Sequence, residues 1–126
     1  MTLGPISAVR VFVPDLAAVH GFYRDQLGLD ETFANDNVLV FRTGTADLVV
    51  EAADPTDAEE GSLIGRFVGV SFAVPDVHAA HAALITKGVR FVSGPEMQPW
   101  GAVMAHVLDP ADNVLTLIEL PDNATA

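Results

Sequence analysis

The stretch that decides the reading is "VFVPDLAAVH" at residues 11–20, because the chain returns to it as "FAVPDVHAAH" at residues 72–81. Val13-Pro14-Asp15 recurs as Val74-Pro75-Asp76, an offset of 61 from 13 to 74, and the same offset sets His20 on His81. A repeat of this period in a short chain signals two copies of one structural unit. In each copy the proline ends an apolar strand, and the aspartate after it is a helix N-cap with its carboxylate near the first free amides.

Reading outward, "ISAVRVFV" (6–13) is a strand rich in Val, Ile and Phe. Leu16, Val19, Phe22, Tyr23 and Leu27 then recur at helical spacing, and Gly28 stands where a left-handed C-cap is wanted. "ETF" (31–33), "NVLVFRT" (37–43) and "DLVVEA" (47–52) read as three further strands, separated by Asn35-Asp36-Asn37 and Gly44. The second half repeats the order: strand "FVGVSFAV" (67–74), then a helix with Val77, Ala80, Ala83 and Leu84 on one face, closed by Gly88. Strands "VRFVS" (89–93), "AVMAHVL" (102–108) and "NVLTLIEL" (113–120) follow, the last two joined by the turn "DPADN" (109–113). The acidic "DPTDAEEGSLIG" (54–65) reads as a linker and the tail "PDNATA" as frayed.

The expected fold class is therefore α+β, with two tandem βαβββ units in one domain, residues 1–126: a unit at 6–53, the linker at 54–65 and a unit at 66–120. One such unit alone leaves a sheet face and two edges unburied, whereas two copies can pair their sheets and share a core. The strand stop and the cap explain why the phrase returns. His20 and His81 lie within the helices, and their agreement requires no chemical role.

The totals narrow the function classes. There are 126 residues, half of them hydrophobic, enough for one sizeable core. The net charge of -11, with six Lys and Arg, repels phosphate backbones and excludes nucleic acid as a partner; it favours solubility or attraction of a cationic ligand. No apolar run is long enough to span a membrane, and the start lacks the basic and apolar regions of a signal peptide. Without cysteine there is no disulfide, no thiolate nucleophile and no Cys-based metal site. A cytoplasmic protein is expected.

The duplicated βαβββ pattern, "VPDL" before a helix carrying "FY…LG", and the late "WG…DPADN…L" string resemble the vicinal oxygen chelate superfamily, the glyoxalase, bleomycin-resistance and extradiol-dioxygenase group. The resemblance spans residues 6–120. It implies a curved mixed sheet in each half and a cleft between them, and a homodimer. It also implies, in metal-dependent members, one ligand on the first and last strand of each unit, usually His, Glu, His and Glu or Gln. Carried over by position, these ligands fall on Ala8, Val49, Gly69 and Thr116. Ala, Val and Gly offer no donor, and a Thr hydroxyl is a poor transition-metal ligand. The expectation is no metal and no cofactor.

Strand alternation extends the list of cleft candidates. Arg10 and Phe12 share a face with position 8, Ser71 with 69, Glu51 with 49, and Ile118 with Thr116, while Met104 and His106 lie opposite the core-facing Val103, Ala105 and Val107. The ligand-binding candidates are Arg10, Phe12, Glu51, Ser71, Trp100, Met104, His106 and Thr116. Glu51 and His106 are the catalytic candidates. They supply one carboxylate and one imidazole, for a non-standard metal site or acid–base chemistry; an Arg10–Glu51 ion pair and a hydrogen-bonded wall histidine are the plainer roles. Trp100, in "QPWG", either packs or stacks on a ligand.

Three functions are open to such a chain. The first is a metal-independent small-molecule binding protein of the bleomycin-resistance type, sequestering a hydrophobic, aromatic or cationic ligand. The second is a glyoxalase-like lyase, an epimerase or isomerase, or a dioxygenase with non-standard residues; Arg10 would suit an anionic substrate. The third is a protein-interaction module.

Overall fold

The computed structural model describes residues 5–121. Its elements are β1 (Ala8–Val13), α1 (Leu16–Gly21), β2 (Asp30–Ala34), β3 (Val38–Arg42), β4 (Asp47–Ala52), α2 (Ala58–Gly61), β5 (Val70–Ala73), α3 (Val77–Thr86), β6 (Arg90–Met97), β7 (Val103–Leu108) and β8 (Val114–Glu119). They form two four-stranded mixed sheets of one topology, β1-β4-β3-β2 and β5-β8-β7-β6. In each the first and last strands pair in parallel and the rest antiparallel. The α+β class and the duplicated βαβββ unit are thus present. One compact unit holds the described residues up to Arg66 together with Pro110–Asn113. The other holds Phe67–Asp109 and the described residues from Val114 onward.

Both repeated phrases do the work their chemistry suggests. Asp15 is extended and accepts from the Ala17 amide at 3.0 Å; Asp76 is extended and accepts from the Ala79 amide at 3.1 Å. Gly28 and Gly88 adopt φ of 71° and 82°, the left-handed region where a side chain is strained.

The first unit buries Val11, Val13, Val19, Phe22, Tyr23, Leu39, Phe41, Leu48 and Val50. The helix read at 16–27 is not α throughout: after Gly21 it widens into a π-helical turn, Phe22–Gln26, where the Leu27 amide donates to the Phe22 carbonyl at 2.9 Å. The adjacent Phe22 and Tyr23 are both buried, edge to face at 5.0 Å, and Tyr23 stacks on Phe41 at 5.7 Å.

Several boundaries differ from the sequence reading. The strand read at 67–74 is only Val70–Ala73, because Gly69 takes φ +79° and breaks the extended run. The strand read at 89–93 continues to Met97, through two irregularities in its pairing with β7. The segment read as a linker contains α2, capped by Asp57, and a bridge from Ile64 to Phe12. On α3, Ala83 is exposed and His81 takes the inward place, edge-on to Phe91 at 4.5 Å. His81 is therefore a packing residue. Of the tail read as frayed, residues 122–126 lie outside the described residues.

Longer-range bonds complete each unit. In the second, the Glu119 carboxylate accepts from the Val77 amide at 2.9 Å, adding a second cap to α3. In the first, the buried Asn113 side chain donates to the Phe12 carbonyl at 3.0 Å. Among the described residues no helix is long and apolar enough to cross a membrane.

Asp15→Ala and Asp76→Ala should each lower unfolding stability by about 1 kcal/mol, the usual cost of a lost N-cap. Urea unfolding monitored by circular dichroism measures it. Asp76→Ala should cost less than Asp15→Ala, because Glu119 still holds an α3 amide.

Candidate functional site

Each sheet carries its unit's helix on one face. The opposite face holds the sequence candidates, set by strand pairing in regular rows. In the first unit Arg10 stands beside Val49, which stands beside Val40 and then Phe33; Phe12 stands beside Glu51, and Glu51 beside Val38. In the second unit Ser71 stands beside Thr116, Thr116 beside His106, and His106 beside Ser93. The next row is Ala73, Ile118, Met104 and Glu96.

The two copies can now be superposed by register. Arg10 and Ser71 are related by the offset of the repeat, and their parallel partners are Val49 and Thr116. Val49 and Thr116 are therefore equivalent positions on the last strands of the two units. The equivalent positions on the first strands are Ala8, at the start of β1, and Gly69, just before β5. Gly69 differs from the expectation of a face-directed strand residue: its left-handed φ would strain any side chain placed there.

Arg10 and Glu51 form a two-point pair, Nε to Oε1 at 3.2 Å and the terminal nitrogen to Oε2 at 2.8 Å. The guanidinium also lies 5.2 Å from the Phe12 ring centre. The hydrogen bond that Arg10 donates to Glu51, and then the charge of Glu51, push the Arg10 pKa above its ordinary value. Glu51 is thus paired with a cation. Arg10 is 58 % exposed at the side chain, so solvent screens the pair and it contributes little to stability.

On the second unit His106 Nδ1 lies 2.9 Å from the Thr116 hydroxyl, and Thr116 is only 3 % exposed. This bond fixes the ring and leaves Nε2 without a protein partner among the described residues. Ser71 is exposed at the end of the row. Trp100 lies in the turn between β6 and β7 and is 59 % exposed. The turn is held by Gln98 N to Ala102 O at 2.7 Å and Gly101 N to Gln98 O at 2.9 Å.

The structure therefore brings together Arg10, Phe12 and Glu51 on one unit. On the other it brings together Ser71, Thr116, His106 and Met104. Ser93 and Glu96 join the second face and were missed in the sequence. Irregular pairing of β6 shifts its alternation, so that Phe91 faces the helix while Ser93 opposes His106. Only the "SGP" composition of that strand hinted at a broken ladder.

A family model for the glyoxalase/bleomycin resistance protein/dioxygenase superfamily matches residues 5–117. The chain belongs to this superfamily. Similar solved structures include a superfamily member from Sphaerobacter thermophilus, 28% identical with a TM-score of 0.78, covering 94% of this chain and 98% of that one. Another is a glyoxalase/bleomycin resistance protein/dioxygenase from Nocardioides, 23% identical, TM-score 0.75, covering 99% and 89%. A third is lactoylglutathione lyase from Agrobacterium tumefaciens, 20% identical, TM-score 0.71, covering 94% and 95%. The last two likenesses concern the fold alone. No curated protein matches the chain by sequence.

Metal-dependent members of the superfamily need four donors, and the residues here do not fit that requirement. The register positions hold Ala8, Val49, Gly69 and Thr116, and among the described residues no three His, Cys, Asp or Glu side chains converge. Gly69→His, which restores one superfamily ligand, should destabilise the protein by about 1–3 kcal/mol through its left-handed backbone. Thermal unfolding of the variant, with and without added Ni or Zn, tests this; the expected result is a lower Tm that metal does not rescue.

Proposed function

We propose that this superfamily member is a metal-independent small-molecule binding protein of the bleomycin-resistance type, which sequesters a hydrophobic, aromatic or cationic ligand without transforming it. The observation that carries the reading is the Arg10–Glu51 pair. It ties Glu51, a catalytic candidate of this face, to a cation. With it go the donor-poor register positions, which supply no Lewis-acid site. What remains on the first unit suits flat apolar matter: Phe12, Val49, Val40 and Val38 on neighbouring strands, with Phe33 at the edge of the row. Aromatic rings and branched aliphatics stack planar ligands at low entropy cost. The second unit's own face carries hydrogen-bonding groups, Ser71, Thr116 and His106. The negative charge of the chain favours cationic ligands at long range.

A second reading is kept alive by one observation, the His106–Thr116 bond. With Nδ1 donating to the Thr116 hydroxyl, the unpartnered Nε2 is an acceptor that can serve as a general base. A metal-free isomerase would use it, with Glu96 of the neighbouring row as the second acid. The lyase, epimerase and dioxygenase alternatives gain no comparable support.

A thermal-shift screen of planar aromatic compounds, run with and without EDTA, separates the readings. A ligand at about one hundred times its Kd should stabilise the fold by about 2.7 kcal/mol, a rise of about 10 °C in Tm for a chain of this size. The rise should be equal in EDTA, smaller in Phe12→Ala, and the ligand should be recovered unchanged. Recovery of a converted product, lost in His106→Gln, would instead establish the isomerase.

A further inference from the structure

The first unit also has a pocket of about 480 Å³ that the proposed function does not use. It is lined by Pro14, Asp15, Leu16, Ala17 and His20 on one side, and by Ala34, Asn35, Asp36, Leu39 and Ala52 on the other. Leu39 pairs with Val50, Ala34 with Leu39, and Ala52 with Val13, so these strand residues belong to the helix-bearing side of the sheet. Arg10, Phe12 and Glu51 occupy the other side. The two sites are therefore physically separate.

The lining has one chemical character. Its base is apolar, from Leu16, Ala17, Leu39, Ala34 and Ala52. Its charged groups are both carboxylates, Asp15 and Asp36, and no Lys or Arg lines it. Asp15 spends one oxygen on the Ala17 amide; Asp36 is exposed and has no partner among the described residues. The third polar wall is His20. Its Nε2 is bonded to the Glu31 carboxylate, which can only accept, so Nε2 carries the hydrogen. In the neutral ring Nδ1 is then an acceptor, and no protein group among the described residues takes it. The Asp25 carboxylate near His20 is held by Arg24 at 2.9 and 3.1 Å and does not compete. The start of α1 adds about half a positive charge to this region, less than either full carboxylate on the wall. The balance is negative.

We propose that this pocket binds a small organic cation, an amine or amidine carried on an aromatic or aliphatic body. The ammonium group sits between the Asp36 and Asp15 carboxylates and donates to His20 Nδ1. The body lies on Leu16, Leu39 and Ala52. The volume holds a ligand of about ten non-hydrogen atoms with room to spare.

The test is calorimetric titration of the full chain at low ionic strength with three isosteric probes: phenethylamine, 2-phenylethanol and phenylacetate. Phenethylamine should bind with a Kd of about 1 mM or tighter, and the neutral and anionic probes at least tenfold more weakly. Asp36 lies on an exposed turn, so Asp36→Asn and Asp36→Lys should fold normally. They should weaken phenethylamine about threefold and at least tenfold. Amide shifts in NMR spectra should fall on residues 14–20, 34–39 and 52. Equal binding of the three probes, no binding of phenethylamine at about 20 mM, or shifts confined to residues 8–12 and 47–51 would overturn the proposal.

Discussion

The structure depends on the parallel pairing of the first and last strand in each unit, β1 with β4 and β5 with β8. Parallel neighbours cannot be joined by a tight hairpin, so the chain must leave the first strand, cross over and return. The Val-Pro-Asp phrase begins that excursion by stopping the strand and capping the helix. The helix lands on one face, two antiparallel strands follow, and the last strand slots in beside the first. That sequence of steps fixes the order β1-β4-β3-β2 and its copy β5-β8-β7-β6. It also leaves the face opposite the helix as the place where side chains of the first and last strands meet.

Because that face is set by backbone register, its chemistry follows from which residues occupy a few positions. Superfamily members that hold a metal fill them with imidazoles and carboxylates. Here they carry Ala8, Val49, Gly69 and Thr116, and one of the four is closed to side chains by its backbone. Glu51, on the same face as Val49, is tied to Arg10, and the imidazole, His106, is tied to Thr116. The same scaffold is left with surfaces suited to contact and orientation. The helix-side pocket at His20 is formed by other residues of the same unit.

Much of this was legible in the sequence, and the reason is locality. Asp15, Asp76, Gly28 and Gly88 act within a few residues of themselves, so their spacing alone places the helices. The alternation of β1, β4 and β7 is regular, and period two assigns Arg10, Glu51 and His106 to the face away from the helices. What was hidden depends on distant partners or on a broken period. The bonds from Asn113 to the Phe12 carbonyl and from Glu119 to the Val77 amide join residues far apart in the chain. The irregularities of β6 reverse its alternation and bring Ser93 and Glu96 to the His106 face. The left-handed Gly69 shortens β5, and the π-helical turn falls at two adjacent buried aromatics that helical spacing treats as ordinary. The partners of Glu51 and His106 were foreseeable as residue types but not as geometry.

The central claim is that this scaffold works without a divalent metal. Elemental analysis of the purified protein, before and after equilibration with stoichiometric Zn, Ni, Mn and Fe and removal of the excess, tests it most directly. The account predicts far less than one retained metal per chain under every condition. Retention of about one tightly held metal per chain would contradict it.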